Sequence, residues 1–456
     1  MKRVMRLLST FSTLSTLPAV TTVALILLSP AAVSQGVPDD EFQINVHTPS
    51  AQWRPEVVPA NGKFIVVWQS EQQDGDGGGI FARWVDSSGQ TLGEELQVNS
   101  YTTGNQGYPA VATVAYQPPG FTEGVSDRFV VVWSGAGPGD DAGVFARLFE
   151  STGEPLGPEF LVNTETTGVQ ERPHVDADEA GNFMVGWHDD PEWRIGLQRF
   201  DNTGALLGVP LEIAGNEPGK FNDLVYSNPQ ILAREPGEFV VAWRRFSANG
   251  YYPDFDFTNI RTAHFDADGN LDGDLFVGRV SGYDTGMTAH SIASTPTGFV
   301  VVWDETYGYN AGSIHGRAFD DATGLYESEV EVTVRDAEDE FDPSVAADPG
   351  GRFLVVFEGQ RSSDPDGVFG NFFRPGFVPE SGDFLLNEFT TNVQRNPAVA
   401  ADPTSGSFLV VWDSQNQDGS GTGIFGRMTG FFVFADGFEA GDTSAWSATV
   451  SPAGPP

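Results

Sequence analysis

An apolar strand that ends in an aromatic ring recurs seven times along this chain: FIVVW (64–68), FVVVW (129–133), FMVGW (183–187), FVVAW (239–243), FVVVW (299–303), FLVVF (353–357) and FLVVW (408–412). The closing rings Trp68, Trp133, Trp187, Trp243, Trp303, Phe357 and Trp412 stand 65, 54, 56, 60, 54 and 55 residues apart. A period of this size marks a repeat architecture, in which each unit buries its apolar surface against its neighbours. Each unit has three further parts. A short segment opening at a proline precedes the aromatic strand: PEVVPA (55–60), PAVATV (109–114), PHVDAD (173–178), PQILAR (229–234), PSVAAD (343–348) and PAVAAD (397–402). The fifth unit has Ser291 at the proline position. A strand such as GIFARWVD (79–86) follows, then a D-x-x-G turn, as at Asp86–Gly89 or Asp201–Gly204, and a closing strand such as ELQVN (95–99).

Four short strands per unit, separated by Asp and Gly turn residues, are the anatomy of a propeller blade. The second strand is apolar at every position, where a half-buried strand would alternate. That pattern requires burial on both faces, which each blade receives from the two beside it. A β-sandwich or two-domain fold would need alternation there and leaves the sevenfold repeat unexplained. The expected fold is therefore all-β: a seven-bladed β-propeller with four antiparallel strands per blade. The last repeat lacks a closing strand, and an orphan of that type, FQIN (42–45), stands at the other end. It is expected to complete the last blade, so that the two ends of the chain share one sheet.

Composition agrees. Gly at 54 and Pro at 30 suit many short strands, and 35 Phe with 10 Trp supply a large core. No cysteine is present, so no disulfide contributes. Lys2, Arg3 and Arg6, the apolar stretch Ala19–Leu28 and Ala32-Val33-Ser34 read as a secretory signal peptide over 1–34, cleaved before Gln35. The apolar stretch is shorter than the roughly 20 residues a bilayer span needs, which argues against a retained anchor. The propeller is assigned to 35–430 and a C-terminal tail to 431–456. Removing three basic residues with the leader takes the formal charge from −39 to −42. So acidic a chain lacks the basic footprint that nucleic acid or an anionic membrane needs. It is compatible with a divalent cation or a protein or glycan ligand, and a monomer is expected.

The order proline strand, aromatic strand, third strand, D-x-x-G turn, outer strand resembles the sialidase-like propeller repeats. In that family an Asp-box, S-x-D-x-G-x-T-W, occupies the turn between the third and fourth strands. Here Asp320–Gly324 keeps the Asp and the Gly and lacks the T-W ending. The chain is more similar still to repeats with Q-D-G-x-G-x-G-I-F loops found in large exported bacterial proteins. The resemblance covers roughly 42 to 430 and implies a fold, not an activity. The tail FADGFEAGDTSAWSATV (434–450) is similar to a C-terminal segment of assorted exported bacterial proteins, which implies sorting or attachment.

Three groups of residues are candidates for chemistry. The loops after the aromatic strand carry Asp74 and Asp76 in QQDGDGGG and Asp418 in NQDGSGTG, with Asp140, Asp141, Asp364 and Asp366 in equivalent loops. Alternating aspartates among glycines suit Ca²⁺, which takes 6–8 oxygen ligands. They also suit hairpin turns, where Asp and Gly supply the needed backbone angles, and that is the preferred reading. FDADGNLDGD (265–274) departs from a calcium-loop pattern at Leu271 and Val277 and is read as a turn. The residues before the repeat proline, Arg54, Tyr108, Arg172, Asn228, His290, Asp342 and Asn396, should ring one mouth of the channel, with Arg395 beside the last. Gln52, Gln106, Gln170 and Gln394 recur two residues earlier, in a structural role. Sialidases hold a substrate carboxylate with an arginine cluster, and Arg54, Arg172 and Arg395 are the candidates here, since guanidinium groups bind carboxylates bidentately. No motif for that family's nucleophile or acid is recognisable. The six histidines have no metal-ligand spacing. On these grounds the expected function is a non-catalytic binding or scaffolding propeller, stabilised by calcium. A sialidase-like glycan hydrolase and a structural module of a larger surface assembly stand as alternatives.

Overall fold

The computed structural model describes residues 40–116, 126–190, 194–213, 224–247, 257–281, 285–286, 289–307, 310–333, 339–361 and 363–430. The leader read at 1–34 and the tail read at 431–456 lie outside the described residues. Every element is a β-strand, and the strands form seven antiparallel sheets in a ring. Blade 1 runs outward as Gln52–Ala60, Lys63–Glu71, Gly78–Asp86 and Thr91–Gln97. Blades 2, 3 and 4 repeat this order from inner strands Gln106–Tyr116, Val169–Ala177 and Leu224–Ala233. In blades 5 and 6 the outer strand is reduced to two short pieces, Leu325–Tyr326 with Val330–Glu331 and Val378–Pro379 with Phe384–Leu385. Blade 7 has Gln394–Ala401, Phe408–Gln415 and Thr422–Thr429, and its fourth strand is Phe42–Gln43. Phe42 lies opposite Gly426 and Gln43 opposite Phe425. The Ile44 amide donates to the Ile424 carbonyl at 2.8 Å.

The apolar core is not central. It consists of seven layers, one between each pair of neighbouring blades. The second strand of blade 1 shows how it is made: Phe64, Val66 and Trp68 pack toward blade 7, while Ile65 and Val67 pack toward blade 2. One strand thus feeds two layers, which is why it is apolar throughout. None of the seven repeat aromatics is more than 5% exposed, so they are interior packing groups.

The polar turns follow from local hydrogen bonding. Asp266 accepts from the amides of Asp268 (3.0 Å) and Asn270 (2.7 Å), and Gly269 takes φ +86° to close the loop. That bond set makes Asp266–Asn270, within FDADGNLDGD, a turn between strands Phe257–Phe265 and Leu271–Ser281, as its position in the repeat predicts.

Two outcomes are expected. Trp68→Ala should cost about 3–5 kcal/mol of stability in denaturant unfolding, the usual range for a buried tryptophan. Deleting residues 36–46 should lower the melting temperature of the whole ring, because it strips the fourth strand from blade 7. A deletion that melts like the intact chain would contradict this closure.

Candidate functional site

One mouth of the channel is built by a repeated irregularity of the inner strand. Arg54, Tyr108, Arg172, Asn228, Asp342 and Asn396 have φ between +45° and +54°, and each precedes the repeat proline. At each of these positions the pairing with the second strand slips by a residue, between Trp53 and Glu56 in blade 1, and likewise in blades 2, 3, 4, 6 and 7. Proline has no amide to give the ladder, and a bulge absorbs it. The residue before it is turned toward the mouth. Blade 5 lacks the proline, and its strand His290–Thr295 runs against Gly298–Tyr307 with no slip. Left-handed backbone at Arg, Tyr and Asp costs of order 1 kcal/mol or more each and concentrates at functional sites.

A second ring lies beneath the first. It consists of the residue that follows each repeat aromatic: Gln69, Ser134, His188, Arg244, Asp304, Glu358 and Asp413. Where the structure ties the two rings together, this residue holds the next blade's left-handed position. Asp413 Oδ1 accepts from the Arg54 amide (3.2 Å) and from Asn396 Nδ2 (2.6 Å), and Glu358 Oε1 accepts from the Asn396 amide (2.7 Å). The mouth opens into a cavity of ≈ 760 Å³ along the axis, with Glu56, His174 and Asp176 on its walls.

The charges are segregated. Asp342, Glu358 and Asp413 stand on blades 6 and 7. Glu358 and Asp342 are hydrogen-bonded to one another. Burial, then the neighbouring Asp342 carboxylate, pushes Glu358 up to about 8. Burial also raises Asp342, against the pull of Glu358 and of Arg54, Arg395 and Arg172. Glu358 is therefore largely protonated at neutral pH, with Asp342 hydrogen-bonded to it. Burial pushes Asp413 up to about 7. Glu56 is reached by water from the lumen yet is enclosed by protein, and that enclosure pushes it up to about 7. His290 is held near 4 by burial, against the opposing pull of the Ala242 backbone, and so is neutral.

Facing these carboxyls are the three expected arginines. The Tyr108 ring lies between two of them, 4.2 Å from Arg54 Cζ and 5.3 Å from Arg172 Cζ. Arg172 Nη1 donates to Asn228 Oδ1 (3.2 Å). Arg54, Arg172 and Arg395 all act electrostatically on Asp342, so the structure brings the three to one site. Arginines elsewhere, such as Arg128, Arg194 and Arg361, are ion-paired. Among the described residues, the guanidiniums of Arg54 and Arg395 have neither a hydrogen bond nor an ion pair.

The acidic loops are placed differently. Asp74 accepts from Asn99 Nδ2 (3.0 Å), and Asp76 from the Gly104 amide (3.2 Å). Asp418 Oδ1 accepts from the Ser420 amide (3.0 Å) in its own loop. Asp140 and Asp364 hold Asn163 and Asn387 as Asp74 holds Asn99. Those asparagines also donate to Gln106, Gln170 and Gln394, which are buried, as their structural role requires. Asp74, Asp76 and Asp418 are not gathered. One group among the described residues can hold a metal ion, Glu305, His315 and Glu329, with ligand atoms within 4.8 Å of one another. The imidazole in that set suits a transition metal better than Ca²⁺, which prefers oxygen alone. The absence of metal-like histidine spacing concealed it, because its members come from three separate segments of blade 5.

No protein-family model and no curated protein matches the chain. Solved structures match its fold over most of both chains. An ulvan lyase of polysaccharide lyase family PL25, bound to -[GlcA(1-4)Rha3S]-, aligns with TM-score 0.57 at 10% identity, over 86% of this chain and 96% of that one. Polysaccharide lyase Uly1 aligns with TM-score 0.50 at 8% identity, over 88% and 95%. A protein of unknown function from Dyadobacter fermentans aligns with TM-score 0.51 at 11% identity, over 86% and 98%. At such identities the likeness is one of fold. Two of these three are polysaccharide lyases, and the third has no stated function. The expectation of a non-catalytic binding or scaffolding propeller is therefore corrected: the comparisons favour the glycan-active alternative. The mouth's carboxyls, displaced toward neutral pH, are the chemistry that a scaffold would not need.

The carboxyl pair has a measurable consequence. A group whose folded pKa is raised contributes stability that is full below its unfolded value, here near 4.5, and is lost as pH rises through about 8. Glu358→Gln, which stays neutral, should therefore melt higher relative to wild type at pH 9 than at pH 5. Melting curves that stay parallel across this range would show that Glu358 titrates normally.

Proposed function

We propose that the protein is an exported enzyme that cleaves an anionic polysaccharide at the channel mouth. The observation that carries this reading is the pair of guanidiniums with neither hydrogen bond nor ion pair among the described residues, Arg54 and Arg395, left in a chain of formal charge −39 beside three carboxyls of raised pKa. In so acidic a protein, carboxylates to satisfy them are abundant, and placing arginines where none pairs with them favours an anionic ligand. Arg54, Arg172 and Arg395 are assigned to the substrate carboxylates. Glu358, protonated at neutral pH, is assigned as proton donor to the leaving glycosidic oxygen, with Asp342 holding it in position. Asp413, near 7, is assigned as proton acceptor. The likeness of fold to an ulvan lyase supports a uronate-bearing polymer as substrate, and the leader read at 1–34 supports action outside the cell.

The test uses ulvan, polygalacturonate and alginate, with release of reducing ends as readout. Ultraviolet absorbance of an unsaturated product separates elimination from hydrolysis. Arg54→Gly and Arg172→Gly are informative because glycine takes φ near +54° without a Cβ penalty. Each should keep or raise the melting temperature while lowering kcat/KM on the order of 100-fold. Wild-type protein that releases no ends from any of the three polymers would defeat the reading.

A further inference from the structure

A groove of ≈ 510 Å³ adjoins the mouth and crosses the seam where blade 7 meets blade 1. Arg54, Tyr108, Asn396 and Asp413 belong to both the groove and the site. Trp53 and Arg395 belong to the groove and stand next in sequence to two left-handed mouth residues, Arg54 and Asn396. The bulges that aim Arg54 and Asn396 at the axis therefore place their neighbours outside it. Trp53 differs from the repeat tryptophans. It is 36% exposed, where none of those passes 5%. An exposed indole is costly in water and, beside a guanidinium, is useful against a ligand with a flat face and a negative charge. Gln69 and Gln415, also in the groove, carry amides of the kind that pair with hydroxyls.

We infer that this groove is a subsite for an acidic polysaccharide chain, with Trp53 stacked on a sugar ring and Arg395 paired with an anionic group of the chain. The inference rests on the proposed function for its ligand class and adds that the ligand is a polymer extending beyond the mouth over the closure seam. The groove's volume lies in the range of specific small-ligand sites. Its charge has one sign at the surface, that of the arginines.

Binding tests the groove without requiring cleavage. Affinity for ulvan, polygalacturonate, dextran sulfate and neutral dextran is measured by affinity electrophoresis at constant ionic strength. The first two present carboxylates, dextran sulfate presents sulfate alone, and neutral dextran presents neither. Wild type should bind at least one anionic polymer and not neutral dextran. Trp53→Ala should weaken that binding about ten-fold, as loss of an aromatic contact does, and Trp53→Phe should keep most of it. Arg395→Gln should weaken it comparably, and thermal melts should show each variant folded. Equal binding by wild type, Trp53→Ala and Arg395→Gln would count against both the groove and the catalytic reading. Equal binding by wild type and Trp53→Ala alone would overturn the groove and leave the catalytic reading standing. Trp53-dependent binding with no release of reducing ends would do the reverse. Wild type that binds none of the anionic polymers, or binds neutral dextran as well, overturns the groove.

Discussion

The structure depends on the burial of one strand on both faces. In each blade the second strand sends alternate side chains into two different interfaces, as Trp68 and Val67 do into the layers shared with blades 7 and 2. No blade can satisfy that strand alone, and none can be added or removed without exposing two apolar faces. The ring must therefore close, and it closes at the cheapest place, a two-residue strand from the opposite end of the chain pairing with Thr422–Thr429. Because the core lies between blades, the axis is left open. Inner-strand edges there are met partly by neighbouring side chains: His174 Nδ1 accepts from the Ile231 amide (3.0 Å), and Asp176 Oδ2 from the Ala233 amide (2.9 Å).

Seven near-equivalent blades give seven equivalent positions at the mouth, and function is written by what occupies them. The backbone device is constant, a left-handed residue before proline. The side chain it presents varies: Arg, Tyr, Arg, Asn, Asp and Asn where the proline is kept. The cost of holding Arg54, Tyr108 and Arg172 in that conformation is met by the interblade layers, which do not involve these residues. Stability and site are thus separated within one repeat, which lets the mouth diverge while the aromatic strand stays nearly unchanged.

This separation explains what was legible in the sequence. The aromatic strand, the proline segment and the closing FQIN segment report on packing, and packing repeats; the fold and its closure followed from them. The upper ring was legible because proline marks it. The lower ring carries a fainter signal: the residue after each repeat aromatic is polar in all seven units, from Gln69 to Asp413. What no pattern displays is the hydrogen-bonded pair of Asp342 and Glu358, since these come from the inner and second strands and acquire their chemistry only from burial together. The aspartate loops are ambiguous for another reason. Asp-Gly runs satisfy turns and cations with the same oxygens, and the structure uses them on turn amides and on Asn99, Asn163 and Asn387.

The strong negative charge, read first as an argument against anionic partners, bears differently on the mouth. Long-range repulsion between an acidic protein and an acidic polymer is screened within about 8 Å at physiological salt. Exclusion of polyanions at a distance is therefore weak, and recognition is decided by groups in contact. At contact, the mouth offers two guanidiniums without an ion pair and a tyrosine held between Arg54 and Arg172, opposite a Glu358 carboxyl that is largely protonated and so repels little. The raised pKa values serve both ends at once. They keep Glu358 able to give a proton, and they lower the negative charge that an approaching carboxylate meets. A mouth with the same residues fully ionised would bind the ligand less well and have no proton to give it.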